Sequence, residues 1–141
     1  MKITTLLFIS ATLMLLTSTY SQAGEVRVKV ENLTPGKGKL YTSICKKQKF
    51  MNGRCDFEII KKVNNEHETV IFNQLDHNQY AVSVFYDVND NSELDTSIFG
   101  IPKEPTGVSN NVMGKKGPPK FEDAQITVDN NTPMEITIKV F

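Results

Sequence analysis

The feature that most constrains this chain is a repeat of two. Val26, Val28 and Val30 alternate with Glu25, Arg27, Lys29 and Glu31. Successive side chains of a strand point to opposite faces, so this pattern specifies a strand with one apolar face and one wet face. The same period recurs at Leu40, Thr42 and Ile44, in Phe57-Glu58-Ile59-Ile60, in Thr69-Val70-Ile71-Phe72 and in Tyr80 to Tyr86. It returns from Ala124 to Val128 and from Ile136 to Val140. Turn residues separate the runs: Pro35-Gly36-Lys37-Gly38, Asn64-Asn65-Glu66 and Asp129-Asn130-Asn131-Thr132-Pro133. No window after the first 23 residues carries a helical stripe. Seven short strands with turns between them predict an all-β fold, a seven-stranded antiparallel sandwich of immunoglobulin-like or transthyretin-like type. Tyr80 opens the clearest strand at a tight corner, where a tyrosine can bury its ring and bond its hydroxyl to nearby backbone. Asn78 suits a left-handed position in that corner.

Residues 1–23 read differently. Lys2 is followed by an apolar stretch over 3–16, and Ser21-Gln22-Ala23 places small residues where a signal peptidase cuts. The apolar core is shorter than the ~20 residues a helix needs to cross hydrocarbon. The chain is therefore expected to be exported, periplasmic or secreted, with 1–23 a signal peptide and 24–141 one sandwich domain. Charge is balanced, with 16 Lys and Arg against 16 Asp and Glu. That balance supplies no basic excess for nucleic acid. No second apolar run is long enough to span a bilayer.

The two cysteines, Cys45 and Cys55, are expected to pair in an oxidising compartment. They would close a basic loop that contains Asn52-Gly53, a turn signal. The alternative, a metal or redox pair, fits poorly: the spacing exceeds Cys-x-x-Cys and no His is near in sequence.

Strand Tyr80 to Tyr86 runs into Asp87-Val88-Asn89-Asp90-Asn91-Ser92-Glu93-Leu94-Asp95. Asp87, Asn89 and Asn91 sit at positions 1, 3 and 5 of a calcium loop, where alternate residues aim hard oxygens at one centre. The Glu93 carbonyl takes position 7, Leu94 the inward apolar position 8 and Asp95 position 9. Position 6 is Ser92 where Gly makes the bend, position 12 is Ile98 where a bidentate Glu is expected, and a strand rather than a helix enters. The competing reading is an Asx-rich turn held by its own backbone bonds and no metal. The long connection 96–120 follows, rich in Gly, Pro and Asn, and loops of that length are commonly functional. Its apolar residues either pin it across the sandwich or form a binding surface, for which Phe99, Ile101, Ser109, Asn110 and Phe121 are the candidates.

This region carries a resemblance. Tyr80-Ala81-Val82-Ser83-Val84-Phe85-Tyr86-Asp87, Asn89, Asn91, Leu94-Asp95 and Phe99-Gly100-Ile101-Pro102-Lys103-Glu104 form its first half. Gly107, Ser109-Asn110-Asn111, Gly117-Pro118-Pro119 and Phe121-Glu122-Asp123-Ala124 complete it. Together they resemble the bacterial secreted family known as domain of unknown function 2141. The resemblance implies a compact exported β-sandwich and no activity. This chain departs from the family at Ser92, where Gly is familiar, and in its Cys45–Cys55 insertion.

Catalytic signatures are missing. His67 and His77 both lie in polar turn segments, and nothing matches a nucleophile elbow, a phosphate loop or a zinc triad. The expectation is a non-catalytic module that binds an unknown protein or glycan and takes calcium weakly at Asp87, Asn89, Asn91, Glu93 and Asp95. An envelope structural protein without metal is the second reading. A small hydrolase using the acidic residues Asp87, Asp90, Glu93, Asp95 and Glu104 is the third.

Overall fold

A computed structural model describes residues 23–141. The expected signal peptide falls on residues outside that range, apart from Ala23. Eight strands form two sheets: β1 (Gly24–Glu31), β2 (Lys39–Cys45), β3 (Phe57–Lys62), β4 (His67–Leu75), β5 (Asn78–Asp87), β6 (Thr106–Val108), β7 (Ile126–Val128) and β8 (Met134–Lys139). One sheet has the order β4-β1-β8; the other runs β3-β2-β5-β6, with β7 also paired to β5. All seven strands expected from the alternation are present. One neighbour relation differs: β1 and β8 are parallel, because the chain leaves β7 in one sheet and enters β8 in the other.

The alternation works as read. Val26, Val28 and Val30 are fully buried, and with Val70, Phe72 and Ile138 they meet Leu40, Ile44, Tyr80, Val82, Val84 and Tyr86 from the facing sheet. Burying a side chain of this kind contributes about 1.5–3 kcal/mol relative to exposure, so this interface dominates the stability. Gly38 sits at φ +64, and a Cβ there would lie 2.1 Å from the Asp87 carbonyl oxygen. The turn into β2 thus passes directly against the end of β5.

Three details differ from expectation. Tyr80 buries its ring, but the hydroxyl that donates to backbone belongs to Tyr86, with the Thr34 and Lys37 carbonyls at 3.0 and 2.8 Å. Gln74, at φ 60, takes the left-handed position at the corner, and Asn78 instead accepts the Gln79 amide. Ala124 ends a four-residue helix, α1 (Phe121–Ala124), so the strand expected there begins at Ile126.

The connection after residue 96 is more structured than a loop. β6 pairs with Ser83 to Phe85 on the open edge of β5, and β7 pairs with Asn78 to Tyr80 on the same edge. Between them lie a 3-10 turn, Ser109–Asn111, and the helix α1. A Cβ on Gly107 would meet Ile138 at 2.6 Å, so β6 also lies tight against β8.

Candidate functional site

Strand β5 ends in a fully buried carboxylate. Asp87 accepts the amide of Asn91 through Oδ1 at 3.2 Å and that of Ser92 through Oδ2 at 2.8 Å. Asn89 Oδ1 then accepts the Asn91 amide, and Asn91 Oδ1 accepts the Glu93 amide. Asp90 and Ser92 have φ of 62 and 67, so the loop bends at the place where a calcium loop uses glycine. Asn89 and Asn91 both donate Nδ2 to Asp95 Oδ2, at 2.6 and 3.2 Å. Lys39 pairs with Asp90 at 2.7 Å and ties the loop to β2.

The carboxylate that closes the loop comes from further along. Glu104 is buried, and its Oε1 and Oε2 accept the amides of Val88 (2.9 Å) and Asp95 (3.2 Å). Counting twelve places from Asp87 points to Ile98 instead; the legible signal was an acidic residue within Phe99 to Glu104. Leu94, expected inward, is exposed.

For a cation the donor set is hard and sparse. Asn89 and Asn91 meet Asp95, and Asp87 joins them through the Asn91 amide; Glu93 enters only through its own amide, which Asn91 Oδ1 accepts. Among the described residues no group of three or more His, Cys, Asp or Glu is gathered as a metal cluster. Two carboxylates and two amides suit calcium rather than a softer ion. The amide hydrogens of Asn89 and Asn91 now satisfy Asp95, and a cation would take over that role if both amides turned their oxygens inward.

Between Asp95 and Glu104 the chain makes a narrow hairpin. Thr96 bridges to Pro102, Ser97 N–H donates to the Ile101 carbonyl and Lys103 N–H donates to that of Asp95. Ser97 organises the tip: its carbonyl accepts Gly100 N–H, and its Oγ accepts the amides of Phe99 and Ile101. The side chains at this tip stay outside, with Ile98 94%, Phe99 82% and Ile101 63% exposed.

The other candidates for the binding surface are elsewhere and do a different job. Ser109 and Phe121 are buried, so they are interior residues rather than surface ones. Ser109 Oγ accepts the Val82 amide at 3.0 Å and donates to the Ala124 carbonyl, filling the gap between β6 and β7 along β5. Asn110 is exposed, but its Nδ2 is held by the carbonyls of Asp123 and Gln125. Asn111 binds β8 through Thr137 and Lys139. Ser109-Asn110-Asn111 is therefore a clasp.

Phe121 belongs to a second apolar cluster, with Cys45, Phe50, Ala81, Val108 and Ala124, on the outer face of the larger sheet. Its lid is the segment closed by the Cys45–Cys55 disulfide. The expected exposed loop is thus only partly so: Phe50 is buried and meets Phe121 edge-on at 5.9 Å. Asp56 fastens the lid, accepting the Lys46 amide at 2.8 Å and Lys49 Nζ at 2.7 Å. Burial pushes the Asp56 carboxyl up, but these two partners outweigh it and hold it below its ordinary value. Of the histidines, His77 is exposed and His67 lines a shallow cleft with Glu31, Asn32, Leu33 and Glu66. A disulfide fits an oxidising compartment, and among the described residues no helix is long and apolar enough to cross a membrane.

No curated protein and no solved structure matches this chain. One bacterial family does, described as "Uncharacterized protein conserved in bacteria (DUF2141)", over residues 28–137. The match takes in β2 to β7, the clasp and the whole of the loop from Asp87 to Glu104, and the chain belongs to that family.

Proposed function

We propose that this protein is a non-catalytic, exported binding module whose working part is the segment from Asp87 to Glu104. Calcium orders the base of that segment, and the hairpin tip makes the contact. The observation that carries this reading is the convergence on Asp95: amides from Asn89 and Asn91 meet its carboxylate while Asp87 pins the bend at Ser92. A non-catalytic role is supported by the use of the acidic residues. Both oxygens of Asp87 and both of Glu104 are engaged with backbone amides, which leaves neither as a free acid or base.

Two full carboxylates are a small charge for calcium, so the affinity belongs with extracellular modules, with Kd about 0.1–1 mM. At ten times Kd, binding to the folded state alone stabilises it by about 1.4 kcal/mol. For a domain of this size that raises Tm by about 5 °C. Melting in 10 mM calcium, against 10 mM magnesium and against a chelator, tests this. Asp95→Ala, which keeps the Asp87 bend, should abolish the rise. An unchanged Tm in calcium, or an equal rise in Asp95→Ala, refutes the metal reading.

A further inference from the structure

We propose that the tip formed by Ile98, Phe99 and Ile101 inserts into the interfacial region of a phospholipid bilayer. The inference rests on the reading of that tip as the contact surface and does not require the metal.

Three observations carry it. First, residues 96–102 hold no charge, and three of the seven present exposed apolar side chains. Second, the tip satisfies all but one of its own backbone donors. The amides of Ser97, Phe99, Gly100, Ile101 and Lys103 all bond within the hairpin, and Pro102 has none. Among the described residues, Ile98 alone in 97–103 offers an amide without a partner. A segment that moves from water toward lipid loses hydrogen-bond partners, so donors already closed within the hairpin lower the cost of that move, while the open tip carbonyls stay at the hydrated interface. A tip made for a protein partner would gain by leaving donors free for it. Third, the surface is convex and small. Three side chains of this size offer on the order of 400–500 Å², below the ~800 Å² per partner of a stable protein interface. A bilayer sets no such minimum. Lys103 stands next to the tip, exposed, where a long cationic side chain reaches phosphate while its stem lies along apolar surface.

The sequence contains no tryptophan, so Phe99→Trp gives a single reporter at the tip. The chain from Gly24 onward is used, because it carries every strand and both apolar clusters found among the described residues. With phosphatidylcholine vesicles at millimolar lipid, the Trp emission should shift to the blue and be quenched by brominated acyl chains. The unsubstituted chain should pellet with the vesicles. Phe99→Ala should weaken that partition about tenfold, and Ile98→Ser with Phe99→Ser about a hundredfold, as burial of apolar side chains requires. A folded spectrum and unchanged melt of the double variant exclude unfolding. No blue shift, or equal pelleting of the unsubstituted chain and the double variant, overturns the inference. So does a dimer that the double variant loses while neither form binds vesicles, since the occupant is then a second copy. If calcium still raises Tm in both proteins and neither binds lipid, the lipid inference falls and the metal reading stands.

Discussion

Replacing Ser109 with Ala separates a clasp from a recognition residue. The residue is fully buried, and its hydroxyl is the partner of two backbone groups, the Val82 N–H and the Ala124 carbonyl. β6 ends at Val108 and β7 starts at Ile126, so neither strand reaches Val82 from the open edge of β5. Removing Oγ leaves a hole smaller than the ~30 Å³ a water occupies in the liquid, so solvent cannot replace it. An orphaned buried donor or acceptor costs about 1–3 kcal/mol. The two together predict a loss of about 2–4 kcal/mol, because they share one site and relax jointly. In a domain of this length that lowers Tm by about 8–15 °C. Urea unfolding gives the free energy, and the exchange rate of the Val82 amide gives the local cause. Asn110→Gly is the control: Asn110 sits at φ 61, which glycine adopts without strain, its side-chain amide is exposed so water can take its place, and the cost should stay near ~1 kcal/mol. If Ser109→Ala loses less than about 0.5 kcal/mol, or no more than Asn110→Gly, then the hydroxyl is not the bridge between β6 and β7.

Two further perturbations address the lid and the far edge. Cys45→Ala with Cys55→Ala should cost about 2–3 kcal/mol in urea for a closed loop of this length, and a double variant within ~0.5 kcal/mol of the parent would show that Asp56 and Phe50 hold the lid alone. Glu68 is buried on β4, paired with Lys61 at 2.8 Å and accepting the Asn64 and Asn65 amides. Burial pushes its carboxyl up, but Lys61 and those amides together hold it below its ordinary 4.5. Its contribution is therefore complete above that value and lost as pH falls through the lowered one. Stability of the parent should drop more steeply than that of Glu68→Gln below pH 4.5, and parallel curves would refute this.

The strands were legible because one face of each meets one core, which turns burial into a period of two along the chain. That rule assigns Cys45 and Ala81 to outward positions and leaves them wet. They are dry because a lid carrying Phe50 and a helical turn carrying Phe121 lie over them. No local pattern announces such cover, since Phe50, with Met51 beside it, and Phe121 stand in polar segments that carry no period. β6 escaped for a related reason. Three residues carry almost no period, and Thr106 to Val108 are held by what is far away in sequence: β5, the backbone of Phe141, and Ile138 against Gly107.

The loop after β5 shows the same limit from the other side. Alternation of Asp87, Asn89 and Asn91 was legible as a tight turn, because Asx side chains accept backbone amides two to four residues on. Ser92 looked like a reason against the bend, since a residue with a Cβ pays to enter the left-handed region. It enters nonetheless, at φ 67, with its amide fixed by the Asp87 carboxylate. Position 12 falls on Ile98 rather than on an acidic residue, and the reason is geometric. Counting along the chain assumes that the loop keeps turning, yet Ser97 folds 96–102 into a hairpin that returns Lys103 to Asp95. Glu104 then stands beside Val88 and Asp95, nine residues past the latter in sequence and one hydrogen bond away in space. The hairpin that misleads the count is also what carries Ile98 and Phe99 out into solvent. Loop closure and exposed tip thus follow from one excursion of the backbone, and a change that collapses the hairpin at Ser97 must disturb both.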